Sequence, residues 1–260
     1  LYFDRHDGDA ATIEDWLQVF EDATGRDLTQ FAKWYAQAGT PRVAVSDHFE
    51  NGTYTLTLTQ HTPPTPGQAD KFALVIPVAV GLLNEDGAEI VPTRILELIE
   101  PTQVFTFEGL SSKPIPSILR GFSAPVIVKR AQSSAEQAFL LAHDTDPFNK
   151  WEAGQELRRA SLISMITTGT APDSAFLSAA SLVARDDSLD PAFRALVLQP
   201  ISQDDLAQSL ADIGHTPDPW AINEASNTMA QCLAQNLADS LPRLYADSTV
   251  TGPYSPDAVS

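Results

Sequence analysis

The 260-residue chain is 43% hydrophobic and 19% charged, an ordinary globular composition that allows one large domain or two to three small ones. Its 34 acidic residues against 16 basic ones give a formal net charge of −18, which disfavours nucleic acids and anionic membranes as partners. No run approaches the ~18 apolar residues of a membrane-spanning helix, and no secretory leader is visible. The lone Cys232 excludes an internal disulfide. We therefore expect a cytoplasmic protein.

Residues 1–39 carry helical patterns. Thr12 and Asp15 form a capping box that predicts the start of a helix. Asp27 predicts a second helix start, and the stripe of Leu28, Phe31, Trp34 and Tyr35 that follows is typical of core packing. Gly39 and Pro41 are expected to end this second helix.

The stretch "YFDRHDGDA", residues 2–10, places His6 among the acids Asp4, Asp7 and Asp9. Such a cluster could be a metal site, a catalytic site or a polar turn before a helix. We favour the polar turn, a structural junction held by hydrogen bonds, because capping and burial explain such clusters more often than catalysis does.

From Pro41 the hydrophobic period changes to two, which indicates strands. Asn51-Gly52 and Asp86-Gly87 supply tight turns, and about seven short strands follow one another without a helix between them. The pattern predicts an antiparallel β-sandwich over residues 40–131. Pro77 predicts that its strand lies at an edge or is broken there.

The helical period returns after Arg130 and predicts an all-α irregular helical repeat, solenoid-like, over residues 132–260. About six helices are expected, the last of them long and beginning after Asp218-Pro219. The final "YSPDAVS" predicts the opening of a further helix.

Residue types that could perform chemistry are present but not in productive patterns. The five histidines, His6, His48, His61, His143 and His215, include no pair at the i, i+4 spacing of a zinc helix. Asp144 and Asp146 resemble the start of a calcium loop, but an N-cap role explains Asp146 better.

Two adjacent acidic pairs, Asp186-Asp187 and Asp204-Asp205, are interpreted as solvated helix ends, since neighbouring residues on a helix diverge by about 100°. For Arg158-Arg159 an anion contact and a helix-surface role both remain open, and we favour the helix surface.

Six strings occur in one order: "LYFDRHDG", "FAKWYAQAGTP", "YTLTLTQHTPPTPGQADK", "IPVAVGLL", "PIPSILRGFSAPV" and "HDTDPFNKWEAGQ". Together they resemble the aminopeptidase N family of the bacterial alanyl-aminopeptidase type, which are gluzincin zinc exopeptidases. The resemblance is specific over residues 1 to about 160 and weaker beyond.

The resemblance implies that residues 1–39 are the last helices of a thermolysin-like catalytic domain, 40–131 a β-sandwich spacer and 132–260 the first part of a helical domain that encloses the active site. It implies a parent enzyme that removes N-terminal amino acids from peptides, with zinc as cofactor and the catalytic domain of the same chain as partner. The chain would be a piece of that enzyme.

The family's H-E-x-x-H and G-A-M-E-N motifs do not occur here. We therefore assign no catalytic, cofactor-binding or metal-binding residue, and we expect the segment to bind no zinc and to be inactive alone. The alternative is a non-catalytic binding module made of a β-sandwich and a helical repeat.

Overall fold

The computed structural model describes residues 1–249. The chain divides into two compact units. The first contains Leu1–Glu85 and Glu89–Ala131, and the second contains Asp86–Ala88 and the chain from Gln132 onward. Each unit has its own buried side chains, and the two are described in turn.

Three helices open the first unit: α1, Tyr2–His6; α2, Ile13–Thr24; and α3, Lys33–Ala36. The capping box of α2 is confirmed, because the Thr12 hydroxyl accepts from the Asp15 N–H while the Asp15 carboxylate accepts from the Thr12 N–H. Gly25 then ends α2 in the left-handed conformation, at φ +68°.

The prediction of a second helix running from Asp27 to Gly39 is wrong. Asp27 accepts from the Thr29 N–H at 2.8 Å in a local turn, and the only helix in this stretch is the four-residue α3. Side chains from outside this stretch bind its backbone groups: the Glu21 carboxylate accepts from the Leu28 N–H at 2.7 Å, and the Gln68 amide accepts from the Ala38 N–H at 2.8 Å.

Seven strands follow: β1, Arg42–Glu50; β2, Thr53–His61; β3, Ile76–Leu83; β4, Glu89–Leu98; β5, Thr102–Phe107; β6, Ile115–Ile118; and β7, Ile127–Lys129. They form a four-stranded sheet in the order β5-β2-β1-β7 and a three-stranded sheet in the order β4-β3-β6. The predicted seven-stranded β-sandwich is therefore confirmed.

The two sheets share one hydrophobic core. Alternate residues of β2, Tyr54, Leu56 and Leu58, are fully buried, as their period of two predicts. They belong to the same buried cluster as Ile76 and Val80 of β3.

Two details of the sandwich differ from the sequence prediction. β7 pairs with β1 in parallel, so the first sheet is not wholly antiparallel. The candidate strand "SILRGF" ends at Ile118, because Leu119 takes a left-handed conformation at φ +64° and Arg120–Phe122 form a 3₁₀ turn.

Pro77 lies on β3, the middle strand of its sheet, so the prediction of an edge strand is wrong for β3 as a whole. It is correct locally. β6 pairs only with Val80–Leu83, and β4 is the strand that pairs with β3 at Pro77. A residue that lacks an N–H is tolerated where one side of its strand is unpaired.

The second unit is helical: α4, Ser134–His143; α5, Pro147–Thr168; α6, Ser174–Arg185; α7, Pro191–Leu198; α8, Gln203–Asp212; α9, Pro219–Asn236; and α10, Leu241–Asp247. The N-cap side chains of Asp146 and Asp218, as predicted, and of Ser133, Asp190 and Ser202 all accept early backbone N–H groups. A helical repeat is confirmed for this unit.

The predicted long last helix is two helices. α9 ends at Asn236, and α10 begins at Leu241 with Pro242 in its first turn. Proline is tolerated in a first turn but not in a helix interior, which separates the two helices. The predicted opening of a helix at "YSPDAVS" lies outside the described residues. Within residues 1–249 no helix has the length and hydropathy of a membrane span.

Candidate functional site

The histidine-and-acid stretch at the start of the chain is mostly helical. α1 covers Tyr2–His6, so the prediction of a polar turn is wrong for these residues. His6 is half-buried and its ring lies 5.2 Å from that of Tyr2, whereas Asp4, Asp7 and Asp9 are exposed. Backbone hydrogen bonds, such as Asp9 N–H to His6 O at 3.1 Å, hold the junction.

The structure does not bring the histidines close to one another. His48, His61, His143 and His215 are exposed on separate elements or loops. Within residues 1–249 no three His, Cys, Asp or Glu side chains come together in a group that could hold a metal ion.

Asp146 is the N-cap of α5, as predicted. Its carboxylate accepts from the Asn149 N–H at 2.9 Å, which satisfies an N–H at the start of α5. Asp144 is buried, and one carboxylate oxygen accepts from the Asp146 N–H at 2.9 Å. The nearby Lys150 is buried too and donates to Ala142 O at 2.8 Å at the end of α4.

The adjacent acidic pairs are at helix ends, as predicted. Asp186 accepts from the Ser188 hydroxyl and N–H, and these hydrogen bonds lower its pKa. Asp187 forms ion pairs with Arg194 at 2.9 Å and with Arg243 at 3.1 Å. Asp204 and Asp205 are exposed in the first turn of α8.

The helix-surface prediction for Arg158-Arg159 is wrong for Arg158 and correct for Arg159. Arg159 is partly exposed and pairs with Glu156 on the same helix. Arg158 is only 2% exposed. The sequence pattern of α5 does not predict this burial, because two adjacent arginines on a long helix ordinarily indicate a surface exposed to solvent.

One extended apolar surface is exposed on the first unit, and we call it the aromatic face. Its members are Phe3, Trp16, Phe20 and Tyr35, which are between 37% and 76% exposed. The expected burial of the stripe from Leu28 to Tyr35 is therefore wrong in part. Trp34 does pack against the sandwich core, and its Nε1 donates to Val75 O at 2.7 Å, but Tyr35 is 52% exposed.

The aromatic face borders a cavity of about 400 Å³ between the α2–α3 segment and the second sheet. Trp16, Phe20 and Tyr35 line one side, and Val75 and Pro77 line the other. The rings of Trp16 and Phe20 lie 4.8 Å apart in an edge-on contact. Its apolar lining can accept a hydrophobic side chain from a partner polypeptide.

A charged pair stands at the rim of this cavity. The Arg26 guanidinium hydrogen-bonds to the Glu97 carboxylate of β4, and this contact raises the pKa of Arg26. An apolar centre with a charged rim is the usual anatomy of a protein–protein interface. We therefore regard the aromatic face and its cavity as the candidate functional site of the first unit.

Two family models match consecutive parts of the chain. The first, DUF3458, is described as a domain of unknown function with an Ig-like fold and matches residues 39–131. The second, DUF3458_C, is described as ARM repeats and matches residues 134–260.

Curated relatives match nearly the whole chain. It is 36% identical over 260 residues to aminopeptidase N of Escherichia coli, a match that covers 94% of this chain and 29% of the relative. It is 40% identical over 266 residues to aminopeptidase N of Caulobacter vibrioides, covering 100% of this chain and 30% of the relative.

A similar solved structure is that of Legionella pneumophila aminopeptidase A in complex with aspartic acid. The TM-score is 0.81 at 28% sequence identity, and the match covers 98% of this chain and 29% of that one. The chain thus spans less than a third of the length of the relatives it matches.

Proposed function

Because the chain belongs to the aminopeptidase N family, in which it matches one segment, we propose that it is part of a zinc-dependent aminopeptidase that removes N-terminal amino acids from peptides. In this proposal the parent enzyme is of the alanyl type, its substrates are peptides, and the present segment is inactive alone. The observation that carries the proposal is the end-to-end match with aminopeptidase N of Caulobacter vibrioides, which covers 100% of this chain and 30% of the relative.

Each part of the chain has a role in the proposed enzyme. Residues 1–39 are the last helices of the catalytic domain, residues 40–131 are a β-sandwich spacer, and residues 132–260 are part of the helical domain that encloses the active site. The aromatic face supports the first assignment, since rings as exposed as Phe3 and Tyr35 are typical of a surface that another part of a protein covers.

Zinc enters the proposal only through the parent enzyme. The residues from 1 to 249 offer no group of three ligand-type side chains, so this segment does not fit the ion and no step of the reaction is derived from its residues. In the proposal the zinc ligands and the groups that act on the peptide belong to the part of the catalytic domain that precedes Leu1. The contribution of the segment is mechanical: it completes and positions that domain.

Fragment complementation tests the proposal. The polypeptide encoded upstream of Leu1 and the present chain are produced separately and then mixed with zinc and an alanyl chromogenic amide. We expect little turnover from either part and at least a tenfold rise on mixing, because the missing apolar contacts are restored. Turnover by the present chain alone that survives repurification would contradict the proposal.

Matched tryptophan variants locate the contact. Trp16→Ser removes a ring of the aromatic face, whereas Trp220→Ser removes a ring that is 83% exposed on α9 of the second unit and is not a member of that face. Only the first substitution is expected to weaken complementation. Equal effects would show that the aromatic face is not the interface, and failure of all mixtures would favour the alternative of a non-catalytic binding module.

A further inference from the structure

Arg158 is a cation in the interior of the helical unit. It projects from α5, is 2% exposed, and has a pKa that burial lowers to about 10. Even at that value the guanidinium is protonated at neutral pH. The charge must therefore be stabilised by groups around it, since an isolated buried charge is costly.

The groups that contact Arg158 are neutral. Its Nη1 donates to Gln199 O, and its Nη2 donates to Val197 O at 3.1 Å. Its guanidinium carbon lies 4.8 Å from the centre of the Phe176 ring. In the part of the chain that the structure describes, no carboxylate forms an ion pair with Arg158, and its Nε has no hydrogen-bond partner.

The two carbonyl groups stand at the end of α7, where a helix carries the equivalent of about half a negative elementary charge. This partial charge offsets only part of the full positive charge on the guanidinium. Buried arginines are ordinarily paired with a carboxylate, as Arg120 of the first unit is with Glu89. Arg158 differs from Arg120 in this respect.

A cavity of about 80 Å³ adjoins the Arg158 side chain. Its lining is mostly apolar, with Leu162, Ile201 and Met229 among its members, and Ser226 is its other polar side chain. A water molecule occupies about 30 Å³ in the liquid, so a halide ion fits this space while a large organic anion does not. Pro200 also lines the cavity and is exposed, so the cavity borders the surface.

We propose that this cavity is a binding site for a small monovalent anion of chloride size, held by the Arg158 guanidinium and the Ser226 hydroxyl. Three observations carry the inference: a buried guanidinium without a carboxylate partner, an unused Nε donor, and an adjoining cavity of matching volume. The bound anion supplies the negative charge that the surrounding residues do not. The inference concerns the helical unit alone and does not depend on the proposed aminopeptidase function.

Thermal unfolding of the full 260-residue chain tests the site, in sodium chloride and in sodium gluconate at equal ionic strength. A ligand that binds only the folded state stabilises that state. If chloride half-saturates the site at about 20 mM, then about 200 mM chloride multiplies the folding equilibrium constant about 11-fold. The midpoint temperature of unfolding is expected to be higher in sodium chloride than in sodium gluconate. Sodium bromide should raise it as sodium chloride does. Equal midpoints for the wild type in the two salts would overturn the proposal.

Matched variants assign the effect to one residue. Arg158→Gln should abolish the difference between chloride and gluconate, and Arg159→Gln, which alters the exposed neighbour, should preserve it. A chloride effect that persists unchanged in Arg158→Gln would mean that ions bind only at the surface, against the proposal.

If Arg158→Gln does not fold, crystals of the wild-type chain soaked in sodium bromide provide the measurement. The proposal requires an anomalous difference peak beside the Arg158 guanidinium. Bromide peaks confined to surface sites would overturn it.

Discussion

At the scale of single residues, Gln60 shows how one buried amide ties a strand to the segments that precede and follow other strands. It lies near the end of β2 and is 8% exposed. Its side-chain oxygen accepts from the Leu74 N–H at 2.8 Å, while its nitrogen donates to Leu74 O at 2.9 Å and to Glu100 O at 3.1 Å. A neighbouring residue of the sequence, His61, is exposed and has no such role.

Replacement of Gln60 by leucine is therefore expected to destabilise the first unit. The apolar side chain would leave the Leu74 N–H buried without an acceptor, which costs about 1–3 kcal/mol. Chemical denaturation measures the loss. Gln103→Leu is the matched control, because the Gln103 side chain accepts one exposed hydrogen bond, from the Ile99 N–H. This substitution should cost about 0.5 kcal/mol or less. Equal losses in the two variants would contradict this reading.

At the scale of elements, the start of α2 is fixed by local groups. The Asp15 carboxylate accepts from the Thr12 N–H at 2.8 Å and lies 3.1 Å from the Thr12 hydroxyl. These two hydrogen bonds, the backbone one foremost, hold the pKa of Asp15 below its ordinary value of 3.8. The contribution of the Asp15 side chain to the capping box therefore depends on the ionised fraction of its carboxyl group.

The sign of the resulting pH dependence follows from this lowered pKa. The contribution of Asp15 is fully present above the ordinary pKa of 3.8 and is lost as the pH falls through the lower folded-state value. Asp15→Asn should thus lower the thermal midpoint most near neutral pH, and the difference from wild type should shrink in acid.

The control for this experiment is Glu14→Gln, which removes the other carboxylate in the first turn of α2. It lacks a capping role, so its effect should be smaller near neutral pH. A difference between Asp15→Asn and wild type that stays constant down to the most acidic pH tested would argue against the capping box as its source.

At the scale of the whole molecule, the chain consists of two units with separate cores. The core of the first contains side chains from both sheets, among them Tyr54 and Ile76. The second buries residues of successive helices, including Phe176 of α6 and Leu206 of α8. Each core is built from residues of its own unit, as is usual for a segment that can fold by itself.

Division of the chain after Ala131 should consequently yield two folded fragments. We expect the far-ultraviolet circular dichroism of residues 1–131 and of residues 132–260, added together, to reproduce the spectrum of the whole chain. A division after Leu83 is the control: it separates β3 from β4, which pair along most of their length, and should leave the shorter fragment unfolded. An unfolded fragment from the first division would show that the units depend on each other.

Local signals made much of this architecture predictable. The capping box at Thr12, the caps followed by proline such as Asp146 and Asp218, and the alternation along β2 each depend on residues within a few positions of one another. Such patterns fix where helices begin and which face of a strand is buried. The order of sandwich and helical repeat followed from where the period changes.

The candidate sites could be predicted only in part. The sequence did indicate that the stripe around Tyr35 was apolar, but not that Tyr35 would be left exposed beside a cavity. No local pattern indicates the burial of Arg158, since its carbonyl partners lie about forty positions further along the chain.

The sequence by itself determined the helical or strand character of most segments, the caps of most helices and most strands of the sandwich, because these depend on short-range hydrogen bonding and on the period of apolar residues. Only the tertiary structure decided that β7 joins β1 in parallel, that the segment before α3 is not helical, and that Arg158 is buried. These outcomes depend on groups that are distant in the sequence but contact the same backbone atoms and fill the same interior space. A local sequence pattern therefore cannot predict them.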